Sequence, residues 1–199
     1  RLLDSDARFR GVVAVMAEGL TVMSPEGVLI FVNHAAEAIF ALNAEGLQGK
    51  KPEQLELERI HENGCLFAQD DWPTTTVTRS GCEVRDVVMG LRFSDGTVRW
   101  ILINASPLGA ADHQGRYAVV STFRDITARL RADEQLQLAF EAISHSGEGI
   151  MVTDAEQRII SVNPAFELVT GYSAAEVLGQ TPQLFSSGRH DGKFYRAMW

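Results

Sequence analysis

At 199 residues, with 45% hydrophobic and 22% charged side chains, the chain has the length of one large or two small globular domains and enough apolar content to build a core. Its 26 acidic against 18 basic residues leave a formal charge of −8 without a basic cluster, which argues against nucleic acid or an anionic membrane surface as a partner. No apolar run reaches membrane-spanning length, no signal peptide is expected, and two cysteines, Cys65 and Cys82, predict a reducing, cytoplasmic setting without a disulfide framework; an inner-membrane anchor elsewhere in a longer parent chain is compatible with this.

The chain opens on Phe9, Val12, Val13 and Met16, whose i, i+3, i+4, i+7 spacing predicts an amphipathic helix. A strand over 20–23, the turn residues Ser24-Pro25-Glu26-Gly27 and a strand over 28–32 predict a hairpin. Asn33 then stands at a helix N-cap, followed by apolar Ala36, Ile39 and Phe40 at helical spacing. A helix is expected over 71–78, with Pro73 early in it and Ser80-Gly81 closing it. Three strands are expected over 82–93, 97–105 and 117–127, the first two joined by the tight turn Ser94-Asp95-Gly96. Hairpins at both ends with helices between predict an α+β fold: a five-stranded antiparallel sheet with helices on one face. Within the strand 98–103 apolar residues occupy both parities, so its second face should be covered too. Two stripes could cover it, the one containing Phe9, Val13 and Met16 and a later one of Leu136, Ala139, Phe140 and Ile143. Each either packs on its own sheet or pairs with its counterpart in a homodimer.

The opening pattern is written twice. Glu18-Gly19-Leu20-Thr21-Val22 matches Glu148-Gly149-Ile150-Met151-Val152, Val32-Asn33 matches Val162-Asn163, Gly49 matches Gly179 and Pro52 matches Pro182, always 130 positions apart, as from Asn33 to Asn163. Asn163 repeats the N-cap with Pro164 at the first helical position, and Ser173 with Glu176 fits a capping box. The residues divide into a first domain over 1–127, a linking helix over 128–147 and the N-terminal part of a second domain over 148–199. Everything matching 70–127 is missing from the second copy. Its hairpin is expected to present Ile150, Val152, Ile160 and Val162 on one apolar face, and to be loosely ordered or completed by another chain.

These residues resemble the PAS family. The resemblance is carried by Val32-Asn33, the Ser94-Asp95-Gly96 turn, Arg99-Trp100, Ser106-Pro107-Leu108 and above all Phe123-Arg124-Asp125-Ile126-Thr127, which looks like the Asp-Ile-Thr ending of many PAS domains before a signalling helix. In the second copy it is carried by Asn163-Pro164-Ala165-Phe166, Thr170-Gly171-Tyr172 and Glu176-Val177-Leu178-Gly179. It implies two PAS copies joined by a signalling helix, the second truncated, and an unknown small ligand or none. The run Phe185-Ser186-Ser187-Gly188-Arg189-His190-Asp191 with Phe194-Tyr195 is similar to PAS domains placed before GGDEF and EAL domains. That likeness implies an output domain in the same parent chain that makes or degrades cyclic di-GMP; neither signature motif is present here, and these residues themselves carry no catalytic constellation.

Asp125 and Thr127 are the candidate signal-coupling pair. Thr127 is expected to cap the following helix through its hydroxyl, and Asp125 to sit favourably at the helix's positive end. Phe40, Trp72 and Trp100 are candidates to line a ligand cavity. Ile143-Ser144-His145-Ser146 superficially resembles a histidine-kinase acceptor box but runs directly into a strand. Cys65 lies 13 residues past Pro52, the slot where light-sensing LOV domains carry their flavin-reactive cysteine, and His61 stands as a lone histidine against haem ligation. No metal site and no bound cofactor are expected. Two readings remain: a sensor and dimerisation module in which a ligand shifts the sheet and moves the helix, or a ligand-free interaction scaffold.

Overall fold

In the computed structural model, which describes residues 11–186, the first hairpin forms where its turn residues demand: β1 (Gly19–Met23) and β2 (Leu29–Val32) flank Gly27, whose φ of 81° suits glycine. A short helix α1 over 11–15 precedes them. Then follow α2 (His34–Phe40), α3 (Ala44–Leu47), β3 (Glu58–Ile60), α4 (Pro73–Ser80), β4 (Val84–Arg92), β5 (Val98–Leu108) and β6 (Ala118–Asp125). The helix α5 (Thr127–Ser144) leads to β7 (Met151–Thr153), β8 (Ile159–Val162), α6 (Pro164–Thr170) and α7 (Ala174–Val177). The chain divides into two compact units, Arg1–Arg131 and Ala132–Trp199, with the boundary inside α5.

The first unit is one antiparallel sheet in the order β2-β1-β6-β5-β4-β3. It has six strands rather than the five expected. The addition, β3, is a three-residue edge strand, Glu58-Arg59-Ile60, too short and too charged to show alternation; it is held by pairing with Arg92, Leu91 and Gly90 and by an Arg92–Glu58 ion pair at 3.0 Å. One sheet face carries Met23, Leu29, Met89, Leu91, Ile101, Ile103, Val119 and Phe123 against Ala36 and Ile39 of α2, Leu47 of α3 and Val77 of α4. Burying a side chain of this size removes it from water at a gain of roughly 1.5–3 kcal/mol. The other face of β5, with Val98, Trp100 and Leu102, is half-buried.

The N-terminal stripe does not stand free. Val13 is buried within the chain, while Val12 and Val15 are exposed, so Val13 is no dimer-facing residue. Met16 lies just past the helical residues, and Phe9 lies outside the described residues. The stripe on α5 differs: none of its residues is buried, and Leu136 and Phe140 are 70% and 69% exposed, with Ile143 at 42%.

In the second unit β7 and β8 form a two-stranded antiparallel sheet. A small core joins Ile159, Phe166 and Val177, with Met151, Val162 and Phe185 packed on it. Of the expected face Ile150, Val152, Ile160 and Val162, Val162 packs on this core and the other three do not. A register shift between Val152 and Thr153 turns Met151 and Ile159 inward, and leaves Val152 and Ile160 exposed. The same shift occurs in the first hairpin, between Val22 and Met23.

Candidate functional site

The inner face of the first sheet and the helical segments over it enclose a cavity of about 50 Å³. Apolar side chains make most of its wall: Met23 and Leu29 from the hairpin, Met89, Leu91, Ile101 and Ile103 from the central strands, and Phe123 from β6, whose ring is 5.1 Å from that of Phe40. Phe40 and Trp72 are in its wall. Trp100 is not. It has the opposite parity to Ile101 and Ile103, and its ring lies on the other sheet face, over Gly90. A β-carbon on Gly90 would stand 2.6 Å from Ile60 and 2.9 Å from the Trp100 ring, so glycine is what lets these two side chains meet across three strands.

Four polar side chains interrupt the apolar wall, Thr74 of α4 and three others. Thr21 and Ser121 are paired across β1 and β6, and both are buried. The Ser121 hydroxyl has no hydrogen-bond partner, among the described residues, although buried hydroxyls normally find one. Arg59, on β3, is 8% exposed. Its guanidinium donates to the carbonyls of Pro52 (2.7 Å) and Leu57 (3.2 Å) and lies 4.1 Å over the Trp72 ring. Burial pulls its pKa down to about 10, partly opposed by the charge of Glu53. Neither Arg59 nor Ser121 was singled out from sequence. Arg59 sits in the charged run Glu56-Leu57-Glu58-Arg59, which reads as solvated; Ser121 shares the inward parity of Val119 and Phe123, and that signal was available.

The junction between sheet and α5 is tied by both backbone groups of Trp100. Its N–H donates to the Thr127 hydroxyl at 2.8 Å, and its carbonyl accepts from the Ile126 N–H at 2.8 Å. Thr127 is thus the first helical residue and its hydroxyl faces the strand, not the helix it was expected to cap. Asp125 supplies the capping oxygen, accepting from the Thr127 N–H at 2.8 Å.

Asn33 and Asn163 do more than cap. The Asn33 carbonyl oxygen accepts from Leu20 N–H (2.8 Å) and Ala36 N–H (2.9 Å), while its amide donates to the carbonyls of Val13 (3.3 Å) and Glu18 (2.9 Å). Asn163 makes the corresponding set: Ile150 N–H (2.8 Å) and Phe166 N–H (2.9 Å) onto its oxygen, and Ile143 and Glu148 carbonyls (both 2.9 Å) from its amide. Each asparagine therefore joins a hairpin, the helix after it and the carbonyl of a residue before it, which for Asn163 is Ile143 on α5.

The remaining candidates fall elsewhere. His61 stacks on Phe67 at 3.5 Å and does not line the cavity, Cys65 and Cys82 are exposed, and His145 sits 2.9 Å from the Glu141 carbonyl at the end of α5. Among the described residues no cluster of metal-ligating side chains occurs, and no helix is long and apolar enough to cross a membrane.

Comparison with known proteins agrees with this architecture. A family model described as "PAS domain" matches residues 17–128, more than half of the chain, and one described as "PAS fold" matches 136–199. The "Nitrogen fixation regulatory protein" of Klebsiella oxytoca is 40% identical over 62 residues, covering 31% of this chain and 12% of that protein. The "Oxygen sensor protein DosP" of Escherichia coli K12 is 22% identical over 189 residues, 92% of this chain and 22% of that protein. The chain thus spans under a quarter of the length of these relatives. Among solved structures, a PAS domain from Colwellia psychrerythraea matches with 16% identity and a TM-score of 0.46, covering 64% of this chain and 99% of that one.

Proposed function

Because the chain belongs to the PAS family and carries two PAS domains in tandem, we propose that it works as a sensor and relay: a small molecule entering the cavity of the first domain shifts β5 against β6 and so moves α5. The observation that carries this reading is the double tie from the Trp100 backbone to Ile126 and Thr127. Trp100 adjoins Ile101, which lines the cavity, so displacement of the wall acts on the helix start within one residue. A two-state joint of this kind needs a difference of only a few kcal/mol to switch. The far end of α5 meets the Asn163 amide at the Ile143 carbonyl, and through it the second domain.

In this reading α5 also pairs with its counterpart in a homodimer, which would cover the exposed apolar side chains of Leu136, Phe140 and Ile143. The parent chain is taken to be a cytoplasmic or membrane-anchored bacterial signalling protein. Its output domain is taken to be one that makes or degrades cyclic di-GMP, on the likeness of the residues from Phe185 onward to PAS domains preceding such enzymes. The stretch 187–199 lies outside the described residues. A ligand-free scaffold is the second reading, favoured by the modest size of the cavity.

Small-molecule fragments that enter the cavity can be found by the shifts of the Met23 and Met89 methyl signals, both residues being in its wall. With such a fragment at saturation, amide exchange over 127–131 should change. Thr127→Val should abolish that change while the methyl shifts persist. A filled cavity with unaltered exchange throughout α5 would leave the scaffold reading in place.

A further inference from the structure

A cavity walled mostly by apolar side chains has no evident use for a cation, yet Arg59 brings one to its edge. The guanidinium satisfies part of its donor fork with two backbone carbonyls and lays its face on Trp72. Neither partner carries charge. Among the described residues no carboxylate comes within the 4.0 Å of an ion pair; Glu53 acts on it only at longer range. A buried cation without a counter-charge is costly, and the cost disappears when an anion is seated beside it. Arg92, Arg116 and Arg79 are paired with the carboxylates of Glu58, Asp112 and Asp70, and Arg99, which like Arg59 donates to backbone carbonyls and lies over an aromatic ring, is only half-buried. The second independent mark is the Ser121 hydroxyl, 1% exposed, lining the same cavity and without a partner among the described residues.

We propose that the cavity of the first domain is a site for a short-chain organic acid, its carboxylate on Arg59, its alkyl body against Met89, Leu91 and Ile101, and a distal hydroxyl or carbonyl on Ser121. This rests on the reading of the cavity as the sensory site. Guanidinium and carboxylate match in planar, two-pronged geometry, and a charge-assisted bond in a low-dielectric wall is far stronger than the same contact in water. Size sets the chain length. One water needs roughly 10–15 Å³ of such space, so about 50 Å³ admits a ligand of a few heavy atoms. A polar groove of about 230 Å³ on the surface shares Met23, Pro52, Trp72 and Thr74 with the cavity, so these four side chains form the partition between them.

The test uses the whole chain with three probes, butyrate, 4-hydroxybutyrate and uncharged butyramide, at constant ionic strength. Binding is followed by the Met23 and Met89 methyl signals and by thermal melting. Saturable methyl shifts with both carboxylates, at affinities at least tenfold above butyramide, are expected. Ser121→Ala should remove the advantage of 4-hydroxybutyrate over butyrate and leave butyrate itself bound. Arg59→Gln should abolish the preference for the carboxylates, and Arg59→Lys should restore part of it. If Arg59→Gln does not fold, the wild-type preference and the Ser121→Ala comparison still decide. Equal binding of butyrate and butyramide would overturn the assignment of an anion while leaving a sensory cavity. No methyl shift with any of the three, where unrelated neutral fragments do enter, would overturn it likewise. A cavity that no fragment enters removes the sensory reading and this inference together.

Discussion

Replacing Asn33 tests the joint that recurs in both domains. The side chain is 4% exposed and makes four hydrogen bonds. Asn33→Ala removes a helix cap at Ala36, worth about 1 kcal/mol. It also strips the partner from the Leu20 N–H and from the Val13 and Glu18 carbonyls, adding about 2 kcal/mol for groups with restricted access to water. The sum, about 3 kcal/mol, corresponds to roughly 150-fold faster exchange of the most protected amides of β1 and β6. Asn33→Asp keeps both accepting bonds but sets carboxylate oxygen against the carbonyls of Val13 and Glu18, so at neutral pH it should destabilise at least as much as alanine. Native-state hydrogen exchange, which reads each domain separately, supplies the numbers. If aspartate is tolerated like the wild type, the donating half of the joint contributes nothing and the link to the preceding helix is an accident of geometry. If alanine costs under 1 kcal/mol, the network as a whole has been overvalued.

Gly90→Ala should destabilise the first domain by about 1–3 kcal/mol in urea unfolding, because its methyl group collides with Ile60 and Trp100. Phe140→Glu should shift a homodimer towards monomer in sedimentation equilibrium without altering exchange in β1 to β6, whereas Val13→Glu should unfold the first domain, since a lone charge in a buried site costs about 3–5 kcal/mol. The backbone N–H of Arg116, joined by its side chain, holds the Asp112 carboxyl below the usual carboxylate range. That group stabilises the 112–116 loop above the unfolded-state value near ~4, and its contribution is lost as pH falls through the lower folded-state value. Acid titration of wild type against Asp112→Asn should therefore show a steeper loss of stability in the wild type below about pH 4, and parallel curves would contradict the assignment.

What could be read from the sequence follows from how locally each feature is encoded. The asparagine caps, the Gly27 and Gly96 turns, the Ser173–Glu176 capping box and the duplicated register all depend on residues within a few positions of one another, and the structure contains them. Trp100 was misplaced because β5 carries apolar residues on both faces, so hydrophobicity could not say which parity faces the cavity. The strand β3 escaped because three residues cannot display a period, and with it went Arg59, whose burial depends on Trp72 and the Pro52 carbonyl, both distant from any local signal. Thr127 was placed at the right junction with the wrong partner: a threonine at a helix start suggests a cap, and the competing N–H comes from a strand 27 residues away.

The paired asparagines have a consequence for how such chains grow. A domain of this kind begins by gripping a carbonyl of the segment ahead of it, Val13 for one copy and Ile143 for the other, and the first copy ends by launching a new helix from Asp125 and Thr127. Its entry and exit fittings are therefore of complementary type, like the two ends of a railway carriage. A duplicated gene segment inherits a working coupling at once, with a single helix serving as the last element of one copy and the first of the next. Insertion or deletion of whole copies preserves every joint, whereas adding residues within α5 rotates one fitting by about 100° per residue relative to the other. Length variation in chains built this way should accordingly fall in whole domains, or in whole helical turns between them.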